Sequence, residues 1–470
     1  MILGFVILYL LLSVGIGLAA ARRVHTTKDF AVAGRSLPLS IVTATVFATW
    51  FGAEAVLGIS AMFAKEGLRG VVADPFGSSL CLILAGVFFA PRFYRLNLLT
   101  VGDFYRVRYN RTVEVLCALC IVASYLGGVA AQFKVLGLVL NMVTGGAVSQ
   151  SVGIVIGAVI VLTYTTFGGM FSVAILDFIQ ISVIMGGLLY IASIISGSAG
   201  GVEVVISHAA QAGKLELFPT ATVAGWIPFI GVWITMMLGS IPQQDVFQRI
   251  TSAKDERTAE RGSVLGGALY FCFVPMFLAY AATLVDPAMF NTVLEQDSQL
   301  VLPTLILRHT PVFAQIVFFG AVLSAVMSCA SATLLAPSVM LSENVIKGAL
   351  PHLSDWEFLR VMRLVVVVFA ALVLTITLSS SSNIYQLVVN TYKVTLGAAF
   401  VPRCVGFFWS RATTQGALFA LVAGLMTWMG LELFGPSDSI WPPQLVGFLV
   451  ATTGMVVGSL LPQKIGTRGA

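Results

Sequence analysis

Two apolar segments of the chain are interrupted by residues that could expose cation ligands. Residues 48–54 read Ala-Thr-Trp-Phe-Gly-Ala-Glu, which puts a glycine and a carboxylate inside a hydrophobic stretch. Residues 239–245 read Gly-Ser-Ile-Pro-Gln-Gln-Asp, a run that disfavours a regular helix. Unwound backbone exposes carbonyl oxygens, and oxygen is the ligand that hard cations prefer. The two segments therefore predict a cation site built partly from main chain.

A third apolar segment supplies hydroxyl groups at helical spacing. Ser324, Ser328 and Ser331 fall at i, i+4 and i+7, so they share one helix face. Hydroxyls at this spacing can bind a cation. They can equally pack membrane helices together or bond the carbonyl four residues earlier. Both interpretations stay open from the residues alone.

Four further ionisable side chains lie inside apolar segments: Glu54, Lys134, Asp245 and Lys393. A charge inside a membrane needs a partner, water or a ligand. Lys134 is too far from either end of its segment to reach the headgroups. It is expected either to pair with Glu54 or Asp245, or to contact an anionic group of a solute.

The composition places these segments in a membrane. Of 470 residues, 58% are hydrophobic and 10% are charged, where a soluble domain carries about 25% charged residues. Residues 1–470 are predicted to form a single transmembrane transporter domain, since no polar block is long enough for a soluble domain. With about 20 residues needed per crossing, thirteen spans are predicted, at approximately 2–21, 39–65, 70–94, 113–143, 147–167, 171–198, 222–247, 262–285, 312–340, 358–380, 383–409, 413–434 and 443–461.

The basic residues predict the orientation of these spans. The first segment has no basic region or cleavage site and is expected to remain as span 1 of a bacterial inner-membrane protein. With the N-terminus outside and the C-terminus cytoplasmic, twenty of the 26 lysines and arginines fall on the cytoplasmic side. The net charge of +5 is thus a topology signal, and the expected environment is the lipid bilayer with no nucleic-acid partner. The twenty are Arg22, Arg23, Lys28, Arg35, Arg92, Arg95, Arg106, Arg108, Arg111, Arg249, Lys254, Arg257, Arg261, Lys347, Arg360, Arg363, Arg403, Arg411, Lys464 and Arg468.

The interrupted spans are the second and the seventh. Because they are five spans apart, they cross the membrane in opposite directions. That is the pattern of two inverted five-helix repeats whose first helices are broken at mid-membrane, although two ordinary kinks would also produce it. The predicted fold is an all-α integral membrane protein with about 13 transmembrane helices. Its 5+5 inverted-repeat core occupies helices 2–11, with repeats at approximately 39–198 and 222–409.

Four motifs in order resemble the sodium/solute symporter family, and within it the high-affinity choline and proline carrier branches. They are Ala-Gly-Arg-Ser-Leu-Pro at 33–38, Tyr-Thr-Thr-Phe-Gly-Gly at 164–169 followed by Asp-Phe-Ile-Gln at 177–180, Ile-Pro at 241–242 leading to Phe-Gln-Arg at 247–249, and Ala-Val-Met-Ser at 325–328. The choline branch is indicated by residues 48–50 and 320–322. The resemblance implies a LeuT-like fold that works by alternating access.

The resemblance also implies a sodium site between helices 2 and 9. Its expected ligands are the carbonyls of Ala48, Phe51 and Ala325 and the hydroxyl of Ser328. The next position usually bears a second hydroxyl, but here it is Cys329, whose soft sulfur suits Na⁺ poorly. Water or Ser324 is the candidate replacement.

The resemblance also implies a role in sodium transport for Asp177. Asp177 would lie on the sodium release path, or in a second sodium site as in some members. The alternative from the residues is a solvated aspartate at the end of a helix.

The solute is expected to contact Trp50, Glu54, Gln132, Lys134, Gln243 and Gln244. Trp50 matches an aromatic position linked to cation recognition in the choline branch. A quaternary ammonium needs several aromatic faces, and the other two positions are Gln243 and Gly128. An amino acid, a carboxylate or another polar metabolite is therefore as compatible with the sequence as choline.

The sequence as a whole predicts a sodium-coupled symporter that imports a small polar solute. Its expected partners are Na⁺ and the solute, with no cofactor beyond Na⁺ as coupling ion. We expect no enzyme activity, because no nucleophile–base pair or metal constellation is visible. The alternative function is a membrane sensor or receptor that keeps the transporter fold without net transport.

Overall fold

The computed structural model describes residues 2–379, 384–436 and 439–465, with the side chain at position 386 excluded. Throughout these ranges the chain is built from α-helices joined by short 3₁₀ and π segments. The only extended pairing recorded there is a single bridge between Leu37 and Ala253. The prediction of an all-α protein is confirmed.

The helices of the first half follow the predicted spans, with short helices in the connections. Their bounds are Ile2–Ala21 (span 1), Thr27–Val32, Leu39–Phe47 with Glu54–Gly58 and Ile59–Glu66 (span 2), Gly67–Val71, Val72–Gly77, Ser78–Leu84, Ala85–Phe89 and Ala90–Leu96 (span 3), Val101–Arg108, Arg111–Val143 (span 4), Gln150–Ser198 (spans 5 and 6) and Val202–Gln211.

The second half is divided in the same way. Its bounds are Val223–Gly239 with Gln244–Thr251 (span 7), Glu256–Tyr270 with Val274–Val285 (span 8), Pro287–Asp297, Val301–His309, Val312–Leu341 continued by Ser342–Ile346 and Lys347–Ala349 (span 9), Asp355–Ser379 (span 10), Ile384–Thr395 with Leu396–Phe400 and Val401–Phe408 (span 11), Thr414–Phe434 (span 12) and Pro443–Leu460 (span 13).

Nine helices in the described ranges are long and apolar enough to cross a membrane, or ten if the two halves of span 7 count as one. The prediction of about thirteen spans divides the chain more finely, because two pairs of predicted spans form continuous helical runs and one span is divided into short pieces. Span 3 continues from the second half of span 2, and span 11 consists of three short pieces. Spans 5 and 6 form one helical run broken at Gly169 (φ 48°, ψ −141°).

Span 9 is the centre of the bundle. Every residue from 318 to 340 is buried, and the helix packs against spans 1, 4, 6 and 10. Spans 12 and 13 pack chiefly on each other at the periphery. A helix buried on all sides inside a membrane protein can present polar groups only to other helices, so its serines must have protein or ligand partners.

The two interrupted spans meet inside the bundle. The Trp50 indole Nε1 donates to Asp245 Oδ2 at 3.1 Å, and Arg249 Nε donates to the Thr45 carbonyl at 2.8 Å. Both contacts join span 2 to span 7 across nearly 200 residues of chain. The fold therefore places the breaks of spans 2 and 7 next to each other.

Candidate cation and solute site

The break in span 2 is fixed by close approach of other helices. Helix Leu39–Phe47 ends at Ala48, and the amide of Ala53 donates to Gln132 Oε1 at 2.9 Å before helix resumes. A Cβ at Gly52 would lie 2.6 Å from both Cys329 Cβ and Gln132 Oε1. Only glycine fits between spans 4 and 9 at this point of the break.

The break in span 7 is bent by 45° between Val223–Gly239 and Gln244–Thr251. Pro242 lacks an amide hydrogen and cannot continue the helical pattern. The carbonyls left free are bound by span 11, since Thr395 Oγ1 donates to Gly239 O at 2.6 Å and Arg403 Nη1 donates to Ile241 O at 2.8 Å. Irregular backbone is tolerated at this depth because buried protein groups form the hydrogen bonds that its polar atoms need.

An oxygen-rich cluster lies where spans 2, 6 and 9 meet. Ser328 Oγ lies 3.5 Å from the carbonyl oxygen of Ala48 and donates to Asp177 Oδ1. Thr45 donates to the other carboxylate oxygen, Asp177 Oδ2. All four residues are buried. Ala48 and Ser328, predicted as sodium ligands, and Asp177, predicted for the sodium path or a second sodium site, are thus brought together, and their oxygens are of the type that hard cations prefer.

Asp177 is fully buried, so the alternative of a solvated helix-end carboxylate is wrong. The break at Gly169 puts Asp177 two turns inside span 6, where it touches span 9. Arg249 Nη2 lies 3.8 Å from Asp177 Oδ2. Arg249 and Arg403 were counted as cytoplasmic loop charges, and that assignment is wrong because both are fully buried.

The remaining predicted sodium ligands surround this cluster at different distances. Cys329 Sγ contacts the Thr49 carbonyl at 3.3 Å and Glu54 Oε1 at 4.0 Å, so it faces the unwound turn. Ser324 instead bonds Tyr9 of span 1 and the Gly320 carbonyl. Phe51 and Ala325 are buried beside the break and one turn before Ser328 respectively. Their roles as ligands stay predictions.

Four predicted solute residues lie together next to this cluster. Gln132 Nε2 donates to Glu54 Oε2 at 2.7 Å, and Trp50 bonds Asp245 as described above. Gln243 Nε2 donates to Ser124 Oγ at 3.1 Å. Ser124 and Gln132 are eight residues apart on span 4, which places them on one helix face. Trp50, Glu54, Gln132 and Gln243 therefore border the same region.

The structure places the other two predicted solute residues elsewhere. Gln244 Oε1 accepts from the Val101 amide at 2.7 Å, which directs it to the short helix Val101–Arg108. Lys134 is half-buried and lies about 200° around span 4 from Gln132, because successive helical residues turn by about 100°. Glu54 bonds Gln132, and Asp245 bonds Trp50. Lys393 is paired with Glu432 at 2.9 Å.

The sequence analysis missed several residues of this region. Tyr270 places its hydroxyl 3.2 Å from both the Trp50 carbonyl and Asp74 Oδ2. Tyr125 accepts from the Asp245 amide at 2.9 Å. Asp74 could have been found by the rule that identified Glu54, since it is a carboxylate inside an apolar span. The two tyrosines carry no such local signal.

One end of the region, where span 9 ends, is closed by a polar network. Asn344, at the end of span 9, donates to Asp103 Oδ1 at 3.1 Å and to Glu114 Oε1 at 2.9 Å. A Cβ at Gly102 would lie 2.3 Å from the Asn344 side chain, so the short helix Val101–Arg108 packs tightly here. Together with the burial of the site residues, this describes a closed state.

Two broken helices that meet at a buried, oxygen-rich centre define a secondary transporter of the LeuT-like class. The chain superposes on a Na⁺-coupled sialic acid symporter, solved substrate-bound and outward-open, with a TM-score of 0.81 at 18% identity, covering 97% of each chain. A nucleobase-cation-symport-1 family transporter gives a TM-score of 0.59 at 15% identity, over 92% of this chain and 94% of that one. At these identities the likeness establishes the fold.

The sequence comparisons establish the family. The model of the sodium:solute symporter family matches residues 30–424, so the chain belongs to that family. It is 27% identical to the human high affinity choline transporter 1, over 89% of this chain and 75% of the relative. It is 24% identical to the sodium/glucose cotransporter of Vibrio parahaemolyticus, over 97% of this chain and 90% of the relative.

These findings confirm the predicted family and fold class. The protein is a multi-pass membrane protein, and its function is Na⁺-coupled solute import by a LeuT-fold transporter. Its family and relatives are transporters, with Na⁺ and a small solute as the transported partners. The bounds of the two repeats and the roles of individual residues stay predictions.

Proposed function

We propose that this protein carries a small polar solute into the cell with Na⁺, by alternating access around the two broken helices. In the proposed arrangement it lies in a bacterial inner membrane with the N-terminus outside and the C-terminus cytoplasmic. Na⁺ is its only inorganic cofactor, and it acts as a coupling ion. The repeats at approximately 39–198 and 222–409 rock against each other around the site.

The observation that carries the proposal is the contact of Ser328 with both Ala48 and Asp177. Na⁺ bound there would join the unwound part of span 2 to spans 6 and 9. It would replace hydrogen bonds within the cluster by ion–oxygen contacts. Because these contacts exist only when the three spans are close, Na⁺ selects one arrangement of the bundle.

Coupling requires the solute to favour the same arrangement as Na⁺. Trp50 and Glu54 belong to the same unwound turn as Ala48, and Gln132 binds both Glu54 and the Ala53 amide. A solute that contacts these side chains would order the turn that also carries a sodium ligand. The turn is therefore the proposed link between the two sites.

The test is a Na⁺ titration of the thermal stability of the purified protein, with K⁺ keeping ionic strength constant. Ser328→Ala should raise the Na⁺ concentration needed for half-maximal stabilisation about tenfold or more, since a charge-assisted ligand is lost. The matched control is Ser338→Ala, because Ser338 is buried on the same helix and donates only within it, to the Leu334 carbonyl. An unchanged Na⁺ midpoint in Ser328→Ala would sink the proposed sodium site.

Transport itself is tested in proteoliposomes under an inward Na⁺ gradient. Accumulation of a bound solute that stops when the gradient is removed supports symport. Na⁺-dependent binding without accumulation would favour the sensor or receptor alternative instead.

A further inference from the structure

Three buried carboxylates surround the unwound turn of span 2. Glu54, Asp74 and Asp245 come from spans 2, 3 and 7, and each is at most 2% exposed. Trp50 connects two of them. Its indole donates to Asp245, and the hydroxyl of Tyr270 donates to both the Trp50 carbonyl and Asp74. Glu54 lies four residues further along span 2, where Gln132 Nε2 donates to its Oε2 at 2.7 Å. Buried like charges at this depth need a counterion, a proton or a cationic ligand.

The two fully buried arginines of the described chain are engaged elsewhere. Arg249 donates to the carbonyls of Thr45 and Asp245, and its ion pair is with Asp177. Arg403 donates to the Ile241 carbonyl and lies 4.2 Å from the ring centroid of Phe93. Neither guanidinium has an ion pair with Glu54, Asp74 or Asp245 in the described residues. Glu54 and Asp74 thus have no ion pair with either arginine in the described part of the chain, whereas Arg249 lies beside Asp245 and donates to its backbone carbonyl.

Arg249 Nη2, a donor, and the Ser240 hydroxyl are among the buried polar atoms that have no hydrogen-bond partner in the described chain. Two further such atoms of this region are acceptors as assigned. They are Asp74 Oδ1 and Gln243 Oε1. Asp74 holds Tyr270 with its other oxygen, and Gln243 holds Ser124 with its amide nitrogen. Each residue therefore has one end anchored in the protein and one end available to a donor. Buried acceptors of this kind cost free energy unless something donates to them.

Room for an additional methyl group exists at Gly128. Gly128 is buried, yet the nearest atom to a Cβ built on it is Thr391 Oγ1 at 3.9 Å. It lies midway between Ser124 and Gln132 on the same helix face, at spacing i, i+4, i+8. The helix face at Gly128 therefore carries no side chain between the Gln243–Ser124 pair and the Gln132–Glu54 pair.

We infer that the solute is an ammonium ion with N–H donors and no carboxylate, held by Glu54 and Asp74 with its remaining part toward Gly128. This inference rests on the proposed function and names its substrate class. N–H groups satisfy carboxylate and amide oxygens, whereas a quaternary ammonium has no donor and relies on aromatic faces. A carboxylate on the solute would face three like charges.

The experiment is a thermal-shift panel on the purified full chain in Na⁺. The amines are 2-aminoethanol, 1,4-diaminobutane and spermidine, each at about 10 mM, where ligand binding stabilises the native state by mass action. Three comparators change one feature of 2-aminoethanol each: choline adds methyl groups, serine adds a carboxylate, and ethylene glycol replaces the amine by a hydroxyl. At least one amine should raise the melting temperature in Na⁺, and by more than any comparator.

Variants then locate the binding site. Glu54→Gln and Asp74→Asn keep the side-chain shape. Each should lower the affinity for the amine that binds the wild type by about tenfold or more. Glu203→Gln, an exposed carboxylate on the short helix Val202–Gln211, should leave that affinity unchanged. If Glu54 and Asp74 are instead kept neutral by protons, ethylene glycol should bind as well as 2-aminoethanol, which would overturn the inference.

The inference is also overturned if none of the three amines shifts the melting temperature, or if serine or choline binds more tightly than all of them. These failures are separable from failure of the proposed function. With no solute present, Na⁺ alone should stabilise the wild type at a lower concentration than it stabilises Ser328→Ala. Loss of that Na⁺ effect would contradict the sodium site, while its retention without amine binding would contradict only the substrate class.

Discussion

At the scale of single residues, Asp177 is the group on which the candidate cation site depends. Its two oxygens accept from Ser328 and Thr45, and Arg249 approaches one of them at 3.8 Å. The carboxylate thus holds the hydroxyl that also faces the Ala48 carbonyl. A buried carboxylate with both hydroxyl donors and a guanidinium nearby can exchange one partner for Na⁺ without leaving a charge unpaired.

Asp177→Asn should therefore lower the affinity for Na⁺ by about tenfold or more, because an amide is a weaker ligand for a hard cation than a carboxylate. The Na⁺ midpoint of thermal stabilisation measures this effect. Thr45→Ser keeps the hydroxyl, so its Na⁺ midpoint should stay near that of the wild type. If Asp177→Asn loses stability equally with and without Na⁺ and keeps its midpoint, Asp177 is a structural residue only.

At the scale of elements, Gly169 decides how one long apolar run becomes two spans. Its φ of 48° with ψ of −141° is strongly disfavoured for residues with a side chain. A Cβ there would lie 2.4 Å from the Phe30 carbonyl oxygen. The helix changes direction at Gly169 and brings Asp177 against span 9, so the conformation of one glycine helps to position the site.

We expect Gly169→Ala to destabilise the protein by about 2–4 kcal/mol, through backbone strain together with the clash. Gly186→Ala is the control on the same helical run. No atom lies within 4 Å of a Cβ at Gly186 and its φ is ordinary, so that change should be neutral or favourable by up to about 1 kcal/mol. Melting temperatures of the two variants give the comparison, and equal values would contradict the role given to Gly169.

At the scale of the whole molecule, the proposed orientation predicts on which side of the membrane each connecting segment lies. Arg257, between spans 7 and 8, should be cytoplasmic, and Glu295, between spans 8 and 9, should be external. Both side chains are exposed. The arginine and lysine bias fixes such orientations because cytoplasmic loops retain positive charge.

A membrane-impermeant maleimide tests this in intact cells. Glu295→Cys should be labelled from outside, while Arg257→Cys should be labelled only after the membrane is permeabilised. The wild type with its six cysteines, three of them buried and three partly buried, gives the background. Labelling of Arg257→Cys in intact cells, without labelling of Glu295→Cys, would reverse the proposed topology.

Local features of the sequence determined the membrane class, the approximate spans and the two breaks. The hydropathy that predicts a span depends on the composition within about 20 residues. A glycine or proline changes the backbone conformation at its own position. Ala48 and Ser328, which are 280 residues apart, could be named as one site only through the family resemblance. Gln244 was named with Gln243 although neighbouring residues point in different directions, and only the structure separated them.

The tertiary structure alone decided which polar groups meet. Asp177 contacts Ser328 across 151 residues, Trp50 contacts Asp245 across 195, and Glu54 pairs with Gln132 across 78. Such pairs depend on how helices pack and where each one bends, and no local pattern encodes a distance between remote segments. The sequence by itself thus determined that carboxylates lie in the membrane, while packing decided that Asp177 contacts Ser328 and Thr45 and that Glu54, Asp74 and Asp245 lie around the turn of span 2.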